Sequence, residues 1–158
     1  MHNMLKMLPY RRVLGKSESA MQFRDFERVW GKWYGGACDN EDLSVHITMF
    51  DGLMDAPDAY DDLRRILADH GINRLFELRE GGDGYELDLE LASFAYNGTE
   101  GFWKSTDPGW MIYASHEASI TFGGIWLIQS VRQLFPEFDR FIYKGWDAKL
   151  YAPSDSVE

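Results

Sequence analysis

The spacing of hydrophobic positions changes several times along the chain, and each change marks an element. Over 19–30, Phe23, Phe26, Val29 and Trp30 recur at helical period, Ser19 and Gln22 stand at capping-box spacing, and Gly31 offers a stop. The glycine pair and the acidic and amide residues that follow predict a loop over 33–42. Val45, Ile47 and Met49 then alternate with Ser44, His46 and Thr48, which predicts a half-buried strand over 43–50. The next segment, 56–70, is a clear helix. Pro57 suits its first turn, Asp58, Asp61 and Asp62 favour the positive end of the helix dipole, and Arg64, Arg65 and His70 lie toward the negative end before Gly71.

Strands follow over 73–80 and 85–92, joined by a glycine-rich turn whose residues tolerate positive φ. In the second, Tyr85, Leu87, Leu89 and Leu91 fall on one face and Glu86, Asp88 and Glu90 on the other. A second hairpin is predicted over 102–106 and 110–115 around Asp107, Pro108 and Gly109, with a further short strand over 118–122. Gly123 and Gly124 open a third helix carried by Ile125, Ile128, Val131, Leu134 and Phe135 until Pro136, and Phe138, Phe141 and Ile142 suggest one more turn.

This order gives an α+β fold with an antiparallel sheet of about five to six strands and helices packed largely on one face. The whole chain, 1–158, reads as one domain, with 1–16 and the polar tail 153–158 as flexible ends. If helices cover one face, Glu86, Asp88 and Glu90 form a solvent-facing acidic row on the other.

Charge sharpens this expectation. The chain carries 16 lysines and arginines against 26 aspartates and glutamates, a net charge of -10. That balance disfavours nucleic acid, whose binding needs clustered cations, and favours a basic protein partner. A single cysteine, Cys38, permits no internal disulfide, the apolar stretch at the start is too short for a signal sequence, and no run approaches a membrane span. The cytoplasm is the expected compartment.

Candidate chemistry is sparse. Ser115, His116 and Glu117 spell a nucleophile, base and acid, but neighbours on a strand point to opposite faces, so a strand end is the better reading. His116 and Glu117 also begin like a zinc-binding HExxH, yet Ile120 stands where the second histidine belongs. His2, His46 and His70 are isolated, so no metal and no cofactor is expected. The aspartates over 51–62 depart from an EF-hand at Leu53 and read as helix N-terminal charge. Trp103 and Trp110 flank a hairpin, where an exposed tryptophan would be a favourable interface anchor, although a core position is the ordinary one for each.

Tyr96-Asn97-Gly98, Gly101-Phe102-Trp103, the run from Trp110 to Glu117, and Ile120 to Gly124 resemble segments of small bacterial proteins associated with toxin systems. The resemblance implies an immunity-type protein, a small acidic cytoplasmic α+β domain that binds a toxin and blocks it without chemistry of its own. Immunity surfaces differ from one toxin to the next, so no binding residue is carried over. The partner-binding residues expected from the chain itself are Glu77, Asp83, Glu86, Asp88 and Glu90, with Trp103 and Trp110 beside them. Two alternatives stand beside this reading: a small metal-dependent hydrolase or nuclease using Asp88, Glu90 and His116, and an adaptor or assembly subunit that forms homo-oligomers.

Overall fold

The structure is a computed structural model and describes residues 7–34, 37–38 and 45–143. Its elements are β1 (Arg11–Val13), α1 (Lys16–Trp30), β2 (Trp33–Tyr34), β3 (Ala37–Cys38), β4 (His46–Phe50), α2 (Ala59–Asp69), β5 (Arg74–Arg79), β6 (Tyr85–Asp88), β7 (Gly101–Lys104), β8 (Met111–Ser115), β9 (Ser119–Gly123) and α3 (Ile125–Leu134). Short 3-10 turns occupy Asp51–Asp55, Leu89–Leu91 and Phe138–Phe141. Seven strands form one antiparallel sheet in the order β1-β6-β5-β7-β8-β9-β4, and β2 and β3 form a separate two-stranded ribbon.

The α+β class and the antiparallel sheet agree with the sequence. The strand count is higher than expected because β1 adds itself outside β6, pairing Arg11 with Leu87 and Val13 with Tyr85. Two arginines and a valine, all exposed, give no periodic signal, and the expectation of a flexible start over 1–16 did not include this strand. The remaining departures are local. The first helix starts at Lys16, with the Glu18 carboxylate accepting the Gly15 N–H at 3.4 Å. The loop expected over 33–42 contains the β2–β3 ribbon, with 39–42 outside the described residues. Residues 43–44 of the expected strand, Trp146 and the tail 153–158 also lie outside them. The strand expected over 85–92 ends at Asp88 and tightens into a 3-10 turn.

The layering overturns the inference of an open polar face. On one side, α2 and α3 bury Leu63, Leu67, Leu127 and Val131 against Leu75, Trp103, Ile112, Ile120 and Phe122. On the other side, α1 buries Phe26 and Trp30, with Trp33, against Leu78, Phe102, Met111 and Tyr113. Both faces of the central strands are therefore dry, and every residue of β7, β8 and β9 is buried. An amphipathic helix must cover its apolar stripe, and with α2 and α3 filling one face the stripe of α1 finds the other.

Close approach at the β9–α3 junction depends on glycine. Gly124 has φ +101, and a Cβ there would run into the carbonyl oxygen of Gly109. Among the described residues, no helix is long and apolar enough to cross a membrane.

Candidate functional site

The five carboxylates expected on one acidic face are divided among separate places. Glu77 points inward, toward α2 and α3. Its Oε1 accepts from Arg79 Nε at 3.2 Å, and its Oε2 accepts from Trp103 Nε1 at 2.9 Å. The side chains of Arg79 and Glu77 are 5% and 12% exposed, so this is a buried ion pair. Arg79 Nη1 donates to the carbonyls of Ala95 and Thr99, while Nη2 is buried without a hydrogen-bond partner. Gly101 makes room for the guanidinium, since a Cβ there would lie 2.5 Å from Arg79 Nη1.

Glu86 and Asp88 stay on the strand but are neutralised by neighbours. Arg12 of β1 bonds Glu86 at 2.9 Å and Glu18 at 2.9 Å. Asp88 accepts from the Tyr10 backbone N–H at 2.8 Å and from Arg74 Nε at 3.0 Å. The backbone donor, followed by Arg74, holds the Asp88 carboxyl below its ordinary range. The unforeseen strand β1 thus consumes two members of the expected row. Asp83 is exposed in the β5–β6 turn, at the opposite end of the strand from Asp88, and Glu90 is exposed on the 3-10 turn.

Trp103 and Trp110 are both 0% exposed, which corrects their place beside an open surface. Their indole N–H groups donate inward, to Glu77 and to Ser105 Oγ at 2.9 Å. With α1 and α2 on opposite faces of the sheet, a tryptophan beside this hairpin is enclosed whichever way it points.

Asp88 and Glu90 do share one groove. It runs between α2 and the end of β6, has a volume of ≈ 580 Å³, and is lined also by Asp61, Arg64, Arg65 and Asn73. Arg64 bonds Asp61 at 2.8 Å and the carbonyl of Ala92 at 2.9 Å, and Arg65 bonds Asp62 at 2.8 Å. The arginines of the groove are therefore occupied, and Glu90 is left as its open charge. A second unpaired group lies before α2. Asp51 is pushed above its ordinary carboxyl range by burial and then by the charge of Asp55, and Tyr60 is raised by burial and by both carboxylates. Asp58 is exposed and holds the left-handed backbone at φ 61.

His116 occupies the β8–β9 turn, far from Asp88. The register shows the separation: Asp88 stands opposite Arg74 at one end of β5, while Gly101 joins Arg79 to Ala114 at the other. The structure does not bring together the three residues of the hydrolase alternative. Instead the His116 ring lies between two carboxylates, with Nδ1 2.5 Å from Glu100 and Nε2 3.0 Å from Glu117. Buried Glu100 also accepts from the Tyr113 hydroxyl. The hydrogen bond to Glu100 raises the imidazole above its ordinary value, with Glu117 adding to the effect. Sequence reasoning missed Glu100, which precedes a strand and has no motif around it. Ser115 Oγ faces Ser119 Oγ at 2.7 Å and accepts from the Glu117 backbone N–H, so it braces the turn apart from the imidazole.

Among the described residues, no group of three or more His, Cys, Asp or Glu side chains is arranged to hold a metal ion. No protein-family model, curated protein or solved structure matches the chain.

Proposed function

We propose that this protein is a non-catalytic binding module of the immunity kind, which acts in the cytoplasm and neutralises a basic toxin domain by covering it with an acidic surface. One observation carries this reading: among the described residues most arginines are paired with carboxylates of the chain itself, Arg11 and Arg24 excepted, and more carboxylates than cations are left over. Arg12, Arg28, Arg64, Arg65, Arg74, Arg132 and Arg140 each bond an acidic side chain within the chain. Asp51, Asp55, Asp58, Asp83 and Glu90 have no such ion pair among the described residues and stand at or near the surface. The charge left over is predominantly negative, and it sits on turns at the margins of a sheet braced on both faces. Such a surface speeds encounter with a basic protein and discriminates against acidic ones.

The contact we assign differs from the strand row expected from the sequence. Asp88 anchors β1, so replacing it tests the fold as much as the surface. Asp55 and Glu90 are exposed and have no ion pair among the described residues, and the variant Asp55→Lys/Glu90→Lys is the clean test. Affinity capture from a lysate of the source cell is expected to retain a basic protein in stoichiometric amount at low salt and to lose much of it at high salt, as screening requires. The double variant, with an unchanged circular dichroism spectrum, is expected to capture far less. Equal capture by the variant, or no retained protein at all, overturns the reading.

A further inference from the structure

A second cleft lies on the opposite face of the sheet, between the C-terminal half of α1, the end of β5 and β7. Its volume is ≈ 150 Å³, and its apolar lining comes from Phe23, Phe26, Trp33 and Phe102. Glu27 and Glu80 also line it. We propose that this cleft binds an alkylammonium group, the chemistry of a free amine or of a lysine side chain, with the aromatic faces against the cation and the carboxylates as its counter-charge.

Size, rigidity and charge point the same way. An apolar cavity of about 150 Å³ holds benzene, and butylammonium has one heavy atom fewer. The walls are set before any ligand arrives: Phe26, Phe102 and Trp33 are buried at 1%, 6% and 7% exposure. Phe102 meets Phe23 at 5.7 Å and Phe26 at 5.0 Å, both edge-on, and stacks on Tyr113 at 4.6 Å. The Trp33 indole is fixed by donating to the Trp30 carbonyl at 2.9 Å. A cation within about 6 Å of such ring faces is attracted by their quadrupoles, more strongly as water is excluded. A neutral apolar ligand would use the rings and leave Glu27 and Glu80 idle. Neither carboxylate has an ion pair among the described residues, whereas Lys32, the cation at the rim, has a partner of its own.

The test is a nuclear magnetic resonance titration of the whole chain, following the Trp33 indole N–H and the amides of Gly31 and Lys32. The probes are n-butylammonium, its neutral counterpart n-butanol, and N-acetyl-lysine amide. Butylammonium is expected to saturate at these signals and to bind about tenfold more tightly than butanol. Saturation by the lysine amide as well identifies a polypeptide side chain as an admissible source. Binding by the free amine alone restricts the cleft to small amines. The variant Glu27→Gln/Glu80→Gln, with unchanged shifts elsewhere, is expected to bring butylammonium down to the butanol level. Equal affinity for butanol and butylammonium, no saturable shift, or full retention of affinity in the variant overturns the proposal.

Discussion

Replacing Glu77 by leucine removes the counter-ion of a guanidinium that is 5% exposed and already has one nitrogen without a partner. Breaking a buried pair from one side costs about 3–5 kcal/mol, because the remaining charge stays buried. The same change takes the acceptor from the buried Trp103 N–H, a loss of about 1–3 kcal/mol. The two effects overlap, and together they place Glu77→Leu about 4–6 kcal/mol below the parent, comparable with the lower end of the ~5–15 kcal/mol that stabilises an ordinary domain. Glu77→Gln keeps an oxygen for Trp103 and is expected to cost about 1–3 kcal/mol less than leucine. The double variant Glu77→Leu/Arg79→Met removes both charges, so only the tryptophan N–H and rearranged carbonyls remain unsatisfied. It is expected to be more stable than Glu77→Leu alone, with a coupling of at least about 2 kcal/mol. Urea unfolding followed by far-ultraviolet circular dichroism measures these four proteins and the single variant Arg79→Met, which closes the cycle. Additive single effects, or a loss below about 1 kcal/mol for Glu77→Leu, would refute the buried pair as a coupled unit.

Three further outcomes follow from other sites. The His116 imidazole has its folded pKa raised above the ordinary 6.5, so its contribution is fully present below that value and is lost as pH rises through the higher folded one. Urea midpoints of the parent are expected to fall as pH rises above the ordinary imidazole value, and His116→Asn is expected to flatten that fall; an identical profile in the variant sinks the assignment. Gly124→Ala forces a Cβ into the Gly109 carbonyl and should abolish cooperative unfolding, whereas Gly71→Ala, at φ +85 with nothing within 4 Å, should cost about 1 kcal/mol. Equal effects of the two on thermal midpoint contradict this contrast. Burial lowers the Lys104 ammonium from its ordinary 10.5 beneath α1, so Lys104→Met should leave the urea midpoint unchanged or raise it. A loss above about 2 kcal/mol shows that its bond to Gln22 outweighs its desolvation.

The elements with a regular period were legible in the chain. The stripe of α2, the β7–β8 turn at Asp107 and the start of α3 after Gly124 all lie within a few residues of where the pattern placed them. What failed was the assignment of faces. Alternation in 85–88 separates Leu87 from Glu86 and Asp88 correctly, but it cannot say that Arg12 and Arg74 will meet those carboxylates, because their partners lie 74 and 14 residues away. Glu77 looked like any polar alternate, and its burial becomes intelligible only when Arg79 and Trp103 are seen beside it. Sequence period reports which side a residue points to, and neutralisation and burial depend on what later arrives on that side.

The strand order has a consequence for a chain growing from its N-terminus. The sheet's interior, β5 through β9, comes from one continuous stretch, 74–123, whereas its outer strands β1 and β4 are made earlier. Those early strands have no neighbour until the interior exists: β1 waits for β6, and β4 waits for β9. The interior alone would display two raw margins of unpaired backbone groups, the kind that recruit other chains. The N-terminal third therefore acts as a pair of ready-made borders, already synthesised when the interior appears. The outer side of β4 is closed in turn by Ile142 and Tyr143, the latter donating its backbone N–H to the Thr48 carbonyl at 2.8 Å. A fragment beginning after residue 70 would keep most of the hydrophobic strands and lose both borders, and would aggregate where the whole chain folds.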